Sequence, residues 1–315
     1  MGRLVRQQDA LYGEFQMRLT SAVVKHRDKR HHSDDRAMVA QQLFMKRSGS
    51  MKRSYFPVVL TLLLAVGLGG CDETPTGRSQ LALVPGFVMS DMGGDAFEQM
   101  RSQLPLSTDA AIKAEVQCVS DALIKSARLV YPKVEMPDDW QVVVFDNPSP
   151  NAFALPGGRI GVHSGLLQVA QTPAQLAAVV GHEIAHVLAD HGNERLTQQL
   201  GIKAVLLVVG LMSEGDVGQE PLLQALGIGS QLGIALPFSR AHESEADVMG
   251  LAIMARAGFD PGESVALWRN MASVGGDQPP EILSTHPGHQ SRIEGLRAEM
   301  VQAKEVYRGV SPSRC

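Results

Sequence analysis

The chain has 315 residues, of which 44% are hydrophobic and 20% are charged, with 31 Gly and 17 Pro. This composition excludes a wholly disordered, collagen-like or coiled-coil chain, and the length allows one large domain or two small ones. The formal net charge of -4 excludes the overall basic excess that nucleic-acid-binding proteins use, so no nucleic-acid partner is predicted.

The charge is unevenly distributed along the chain. Residues 1–54 hold 12 Lys and Arg against 5 Asp and Glu, whereas residues 55–315 hold 17 against 28. Such an asymmetry indicates that residues 1–54 do not belong to the same structural unit as the rest of the chain. We interpret residues 1–50 as the product of a start site placed too far upstream, with a cytoplasmic extension as the alternative.

An apolar run ends at the first cysteine. Lys52 and Arg53 precede the run over 55–70, and Cys71 follows it directly. The run is shorter than a typical membrane span but has the length of a signal-peptide core. Its last residues and the cysteine, Leu-Gly-Gly-Cys, resemble the lipobox of bacterial lipoproteins, in which the cysteine is acylated and becomes the mature N-terminus. We therefore predict a lipoprotein signal peptide over 51–70, and the alternative is a buried core helix.

Two further cysteines remain if Cys71 carries lipid. Cys118 and Cys315 form an even pair, and an oxidising compartment would allow them to form a disulfide. The sequence does not show whether the two thiols are close together, so this pairing stays open.

Hydrophobic periodicity and turn residues predict a mostly helical α+β domain with a small sheet over 107–315. The helix that begins at Thr172 has the strongest start signal, a Thr cap followed by Pro and, three residues on, Gln. In chain order the predicted elements are a lipidated N-terminus and tether (71–106), a helix from Ser107 or Thr108, strands over 140–145 and 158–162, a helix from Thr172 to Gly192, apolar stretches at 200–212 and 222–236, a helix from Ser239 to Gly258, a helix from Asp260 and a final helix from about Gln290. The two apolar stretches are short for membrane spans, and packed helices are favoured over a membrane hairpin.

The well-capped helix carries the motif H-E-x-x-H at His182, Glu183 and His186. Residues four apart lie about 40° apart on one helix face, so both imidazoles can bind one Zn²⁺. Glu183 lies about 100° round the helix, beside the metal, where it can accept a proton from the attacking water.

A catalytic zinc needs a third protein ligand and an open fourth position. The extended motif with a third histidine would require His at position 192, which is Gly192. His191 is predicted to lie about 180° from His182 on the same helix and to point away from the metal, and it is interpreted as a polar partner at the helix end.

A later helix offers the third ligand. Glu243 and Asp247 are four residues apart and share a face, so Glu243 can bind the metal while Asp247 holds a ligand histidine from behind. Glu245 faces elsewhere and His242 is predicted to be peripheral. A solvated acidic turn is the alternative.

With these motifs the chain resembles the gluzincin metallopeptidase family 48, of the HtpX and CAAX prenyl protease type. The short periplasmic lipoprotein members are most similar in shape. The resemblance covers roughly residues 107–300, in family order. The matching stretches are Asn151-Ala152-Phe153-Ala154-Leu155-Pro156-Gly157-Gly158, Gly181-His182-Glu183-Ile184-Ala185-His186, Ser239-Arg240 through Glu243-Ser244-Glu245-Ala246-Asp247, and Ser284-Thr285-His286-Pro287.

The resemblance implies roles for further residues. The strand over 158–162, with Ile160 at its centre, would be the active-site edge strand that pairs with an extended substrate. Asn151 and Ala152 would hold the substrate backbone. His286 would either close the fourth metal position as a latch or stabilise the oxyanion, with a structural cap as the alternative. Arg292 would serve the same pocket, or else form a surface salt bridge.

The expected activity is that of a zinc-dependent metalloendopeptidase with one Zn²⁺ per chain. The resemblance implies misfolded cell-envelope proteins as substrates, and the lipobox implies a bacterial periplasmic protein anchored to the inner or the outer membrane. The alternative is a periplasmic chaperone or assembly factor with a latched, weakly active zinc site. The sequence predicts no oligomeric state.

Overall fold

The structure, a computed structural model, describes residues 71–212, 236–273, 286 and 289–315. The predicted signal peptide, residues 1–50 and all of the 222–236 stretch except Leu236 lie outside the described residues. The helices are α1 (Gly86–Gln103), α2 (Ala110–Val130), α3 (Pro173–Leu188), α4 (His191–Met212), α5 (Leu236–Arg256), α6 (Gly262–Ser273) and α7 (His289–Arg308). The strands are β1 (Cys71–Glu73), β2 (Ser79–Leu81), β3 (Gln141–Phe145), β4 (Ala152–Leu155) and β5 (Arg159–His163). The α+β fold class predicted from the sequence is confirmed.

The predicted tether has regular structure. β1 and β2 form an antiparallel hairpin, and the 18 residues of α1 follow it. Met89 and Phe97 of α1 are buried, so this helix contributes to the core. The prediction of a tether over 71–106 is corrected. The Gly and Pro residues of this stretch favoured irregular structure, and the apolar face of the helix was not recognised among them.

The three-stranded sheet has the order β3-β5-β4, with β3 parallel and β4 antiparallel to β5. The strand predicted to be the edge strand, 158–162, is therefore the central strand. The edge next to the helices is formed by β4, which contacts α3. This correction arises because pairing with β3 and β4 covers both sides of β5.

Helix α3 lies at the centre of the described residues. Thr172 accepts a hydrogen bond from Gln175 N, and Pro173 occupies the first helical turn, as predicted. Leu176, Val180 and Ile184 are fully buried, so hydrophobic burial fixes the position of this helix between α2 and α5.

Helix α3 ends earlier than predicted. Its last residue is Leu188, and Asp190 adopts a left-handed conformation with φ 52° before α4 begins at His191. The helix therefore ends four residues before Gly192, and His191 lies on a different helix from His182.

None of the described helices is both long enough and apolar enough to cross a membrane.

Candidate metal centre

The H-E-x-x-H helix places two imidazoles side by side. His182 Nε2 lies 3.0 Å from His186 Nε2, one turn further along α3. Glu243 of α5 faces both rings, with Oε2 3.2 Å from His182 Nε2 and Oε1 3.4 Å from His186 Nε2. All three side chains are largely buried. The two helices thus bring together the three residues that the sequence predicted as metal ligands.

His286 completes the group as a fourth potential ligand. Its Nδ1 lies 3.0 Å from both carboxylate oxygens of Glu243 and 3.3 Å from His182 Nε2. One donor atom from each of His182, His186, Glu243 and His286 lies within 4.8 Å of the other three. In a tetrahedral site whose metal–ligand bonds are about 2.05 Å long, the ligand atoms lie about 3.3 Å from one another. The distances between the donor atoms of this group are similar, so the group fits a tetrahedrally coordinated ion.

The ionisation of the group suits a cation. Burial raises the pKa of Glu243, but hydrogen bonds from His182, His186 and His286 outweigh it and hold this pKa well below its ordinary value. Burial lowers the pKa of His186 well below its ordinary value, so this ring is neutral. An ionised carboxylate and a neutral imidazole are the protonation states that metal binding requires.

Asp247 lies behind His182. Its Oδ1 is 3.0 Å from His182 Nδ1, so the Nδ1–H donates to the carboxylate and leaves Nε2 to face the group. Burial and Arg292 lower the pKa of His182, but hydrogen bonds to Asp247 and Glu243 raise it to about 9 when no cation competes for the ring.

Arg292 holds Asp247 in this position. Its Nε donates to Asp247 Oδ2 over 2.7 Å, and its Nη1 lies 3.0 Å from Glu243 Oε2. The guanidinium carbon lies 3.9 Å from the ring centroid of Trp268. Only 3% of Arg292 is exposed, so the surface salt bridge considered as its alternative is wrong.

A second set of polar residues lies behind His186. His191 Nδ1 is 2.8 Å from His186 Nδ1, and His191 Nε2 is 3.1 Å from Glu245 Oε2. The prediction that His191 points away from the metal is therefore wrong, because it assumed that α3 continued to Gly192. Sequence reasoning missed this contact, although the spacing of five residues from His186 would have indicated it if the helix end had been recognised.

Glu245 and His242 are also more central than predicted. His242 is 2% exposed, its ring stacks on His191 at 4.4 Å, and its Nε2 lies 3.0 Å from Glu194 Oε2. Arg78 pairs with both carboxylates, at 2.7 Å to Glu245 and 2.8 Å to Glu194. Burial and His191 lower the pKa of His242 to about 4, so this ring is neutral at neutral pH. His242 is therefore part of a buried polar cluster, not a peripheral residue.

Glu183 lies between the metal-ligand group and the sheet edge. Its Oε2 accepts a hydrogen bond of 3.2 Å from Ala154 N, and its Oε1 lies 3.4 Å from His286 Nε2. Only 3% of the residue is exposed. This places a carboxylate next to the ligands, on the side where β4 passes.

The residues predicted to bind substrate are buried. Asn151, Ala152 and Ile160 are 6%, 1% and 0% exposed, so their side chains do not face a substrate. The prediction for Ile160 is corrected, because this residue lies on the central strand β5. The prediction that Asn151 and Ala152 hold the substrate backbone does not depend on their side chains, and it stays a prediction. Since His163 N donates to Asn151 O, the alternation of an antiparallel ladder directs the backbone groups of Ala152 and Ala154 away from β5.

Comparison with known proteins identifies the family. The sequence profile of Peptidase family M48 matches residues 110–300. The chain belongs to peptidase family M48. The M48 domain of this chain is similar to "Mitochondrial metalloendopeptidase OMA1" of Arabidopsis thaliana, with 33% identity over 233 residues that cover 71% of this chain and 46% of the relative. It is also similar to "Beta-barrel assembly-enhancing protease" of Escherichia coli, with 28% identity over 223 residues that cover 68% and 44% of the two chains.

The M48 match confirms the resemblance predicted from the motifs, and it names the metal. Peptidases of family M48 use zinc, and the group formed by two imidazoles and a carboxylate fits that ion. The chain spans about half the length of the curated relatives that it matches.

Proposed function

We propose that this chain is a zinc-dependent endopeptidase that hydrolyses peptide bonds at the group formed by His182, His186 and Glu243. The observation that carries the proposal is the position of Glu183, a buried carboxylate beside a ligand group that fits zinc. Asp247 holds the ligand His182, as carboxylates do in zinc sites of every kind. Glu183 instead contacts the backbone of β4, so it can serve as the base that hydrolysis needs.

The residues divide the chemistry between them. Zinc, when bound, supplies a Lewis acid that polarises the scissile carbonyl and makes water more acidic. Glu183 accepts the proton of the attacking water and then donates it to the leaving amine. Its Oε2 is held by Ala154 N, so the other oxygen is the one directed at the reacting atoms.

The edge strand supports binding of an extended peptide. Backbone groups of Ala152 and Ala154 point away from β5, and the Ala154 N–H already reaches the catalytic Glu183. A substrate strand added alongside β4 would therefore bring its peptide bonds next to this carboxylate.

His286 suggests control of access to the site. Because its Nδ1 lies as close to Glu243 as the zinc-binding atoms of His182 and His186 do, it can occupy the fourth metal position. This arrangement favours the latch over the oxyanion role. It also supports the second candidate function, an assembly factor or chaperone whose latched site turns over slowly.

The proposed substrates are misfolded proteins of the bacterial cell envelope. The name of the similar Escherichia coli protein refers to β-barrel assembly, and other similar proteins are named as mitochondrial metalloendopeptidases. The Cys118–Cys315 disulfide suits an oxidising compartment such as the periplasm. The proposed anchor is lipid on Cys71, in the inner or the outer membrane.

Exchange of Glu183 for Gln tests the mechanism. The Glu183→Gln protein should bind one zinc ion per chain but cleave unfolded casein at least about 100-fold more slowly, since the amide cannot accept the proton. Zinc content by atomic absorption and release of labelled casein peptides are measured on the purified full chain.

The matched control is Glu98→Gln, which alters an exposed carboxylate that pairs with Arg101. This control should cleave casein at the normal rate. Normal cleavage by Glu183→Gln would contradict the endopeptidase mechanism. Envelope proteins that accumulate in a strain carrying Glu183→Gln would identify the substrates.

A further inference from the structure

The N-terminal hairpin reaches the polar cluster behind His186. A tight turn joins its two strands, with Gly77 N donating to Thr74 O and Thr74 N donating to Arg78 O. Gly77 has a φ of 86°, which favours glycine, and the turn presents the side chain of Arg78 to helices α4 and α5. The hairpin precedes residues 110–300, which match the family profile.

Arg78 bridges two buried carboxylates. Its Nε donates to Glu245 Oε2 over 2.7 Å, and its two terminal nitrogens donate to Glu194 at 3.1 and 2.8 Å. The side chains of Glu194 and Glu245 are 3% and 4% exposed. Without the guanidinium, these two carboxylates would be left close together in a poorly solvated space.

Glu245 transmits this pairing to the ligand histidine. Because Glu245 Oε2 accepts the Nε2–H of His191, His191 Nδ1 is left as an acceptor. That acceptor takes the Nδ1–H of His186 over 2.8 Å, which leaves the lone pair of His186 Nε2 directed at the ligand group. A chain of three hydrogen bonds therefore runs from Arg78 to His186 Nδ1, the ring nitrogen that faces away from the ligand group.

We propose that Arg78 is a positioning residue of the metal centre: by fixing Glu245 it sets the tautomer and the orientation of His186 through His191. The inference rests on the proposed function, because the ion concerned is the zinc of that site. The hairpin would then serve the metal centre from outside the matched family region. Groups that orient ligand histidines in this way typically change metal affinity by 10- to 100-fold.

The contacts of the hairpin allow Arg78 to be changed without loss of the hairpin itself. Leu83 N donates to Thr197 Oγ1 over 3.0 Å, and Asn193 pairs with both backbone groups of Val84 at 3.1 and 2.8 Å. These bonds hold the end of the hairpin against α4 independently of Arg78. Thr76, an exposed residue, also donates to Glu245 Oε1, which offers a second and milder site of change.

Zinc affinity of the purified full chain is the decisive measurement. It is determined for wild type, Arg78→Ala, Arg78→Lys and Thr76→Val by competition with a chromophoric zinc chelator, and urea unfolding of the metal-free proteins reports folding separately. Arg78→Ala should bind zinc about 10-fold more weakly, Arg78→Lys should recover part of the loss, and Thr76→Val should show a smaller loss in the same direction. The d–d spectrum of the cobalt-substituted Arg78→Ala protein should shift, because the orientation of His186 changes.

Arg101→Ala is the matched control, since it removes an arginine from an exposed pair with Glu98. It should leave zinc affinity and the cobalt spectrum unchanged. If Arg78→Ala and Thr76→Val remain folded and bind zinc within twofold of wild type, the positioning role is refuted although the proposed function stands. If wild type itself binds no zinc, the proposed function fails, and the role of Arg78 fails with it.

Discussion

The two ligand histidines of α3 differ in what lies behind them. His182 donates directly to Asp247, which Arg292 holds in turn. His186 instead donates to a second histidine, and the carboxylate of Glu245 lies one ring further away. Both arrangements leave Nε2 to face the metal, but the longer one depends on more residues. We therefore expect His186 to be the ligand whose orientation is more sensitive to substitutions away from the site.

Removal of the His286 imidazole tests the latch. Because His286 Nδ1 lies with the three other donors, His286→Ala should open the fourth position and raise basal cleavage of casein several-fold. Zinc content should stay near one per chain, since two histidines and Glu243 remain. Initial rates of casein cleavage, normalised to bound zinc, measure the effect.

The opposite result would also be informative about His286. A fall of more than about 10-fold in cleavage per bound zinc would contradict the latch and support a hydrogen bond to the oxyanion. An unchanged rate would refute both roles. The Glu98→Gln protein again serves as the control, because residue 98 is distant in sequence from every proposed metal ligand.

At the scale of elements, the site depends on how closely α3 and α5 approach. A Cβ added to Gly250 of α5 would lie 2.8 Å from His182 N and 3.0 Å from Gly181 C, both of them backbone atoms. Side-chain repacking cannot relieve such contacts, so the helices must separate where His182 meets Asp247. The absence of a side chain at Gly250 is therefore part of how the ligand set is assembled.

Gly250→Ala should lower the free energy of unfolding by about 1–3 kcal/mol through overpacking, and it should weaken zinc binding. Gly295→Ala is the matched control, because it lies in α7 with nothing within 4 Å of the added Cβ. The control should be neutral or stabilising by up to about 1 kcal/mol, since Ala favours a helix more than Gly does. Urea unfolding and chelator competition distinguish the two variants. Equal stability of the two alanine proteins would contradict a tight α3–α5 contact.

The sequence predicted those features that depend on residues close together in the chain, such as helix caps and the spacing of residues on one helix face. The Thr172 cap, the Pro after it and the apolar face fixed the start of α3, and a four-residue spacing placed His182 and His186 on one face. The end of α3 was missed because the left-handed residue there is Asp190, whereas Gly192 provides the usual signal. The edge strand was misassigned because strand order depends on pairing between distant residues. Arg78 gave no signal, because its partners are more than 100 residues away in sequence.

At the scale of the whole molecule, the described chain is fastened near both of its ends. The segment that follows the hairpin is bound to α4 through Leu83 and Val84. The last residues pack against the turn after α5, where Ser313 N donates to Gly258 O over 2.8 Å. Cys315 is joined to Cys118 of α2 in a disulfide with a Cα–Cα distance of 5.7 Å. Segments remote from the H-E-x-x-H helix thus stabilise the helices that surround it.

The disulfide should contribute substantially to stability. It joins residues 197 apart in sequence, and the chain-entropy account gives about 5 kcal/mol as an upper figure for so long a loop. We expect its removal to cost about 2–4 kcal/mol, because strain and residual structure in the unfolded chain reduce such values. The double variant Cys118→Ser with Cys315→Ser should therefore unfold at lower urea than wild type.

The comparison is made on metal-free protein, with and without a phosphine reductant, so that zinc binding does not contribute to the unfolding free energy. Reductant should lower the urea midpoint of wild type to that of the double variant and leave the double variant unchanged. Because neither cysteine belongs to the ligand group, zinc affinity and casein cleavage of the double variant in the absence of urea should match wild type. A wild-type midpoint that does not respond to full reduction would show that packing of the terminal residues, not the covalent link, holds α2 and the end of the chain together.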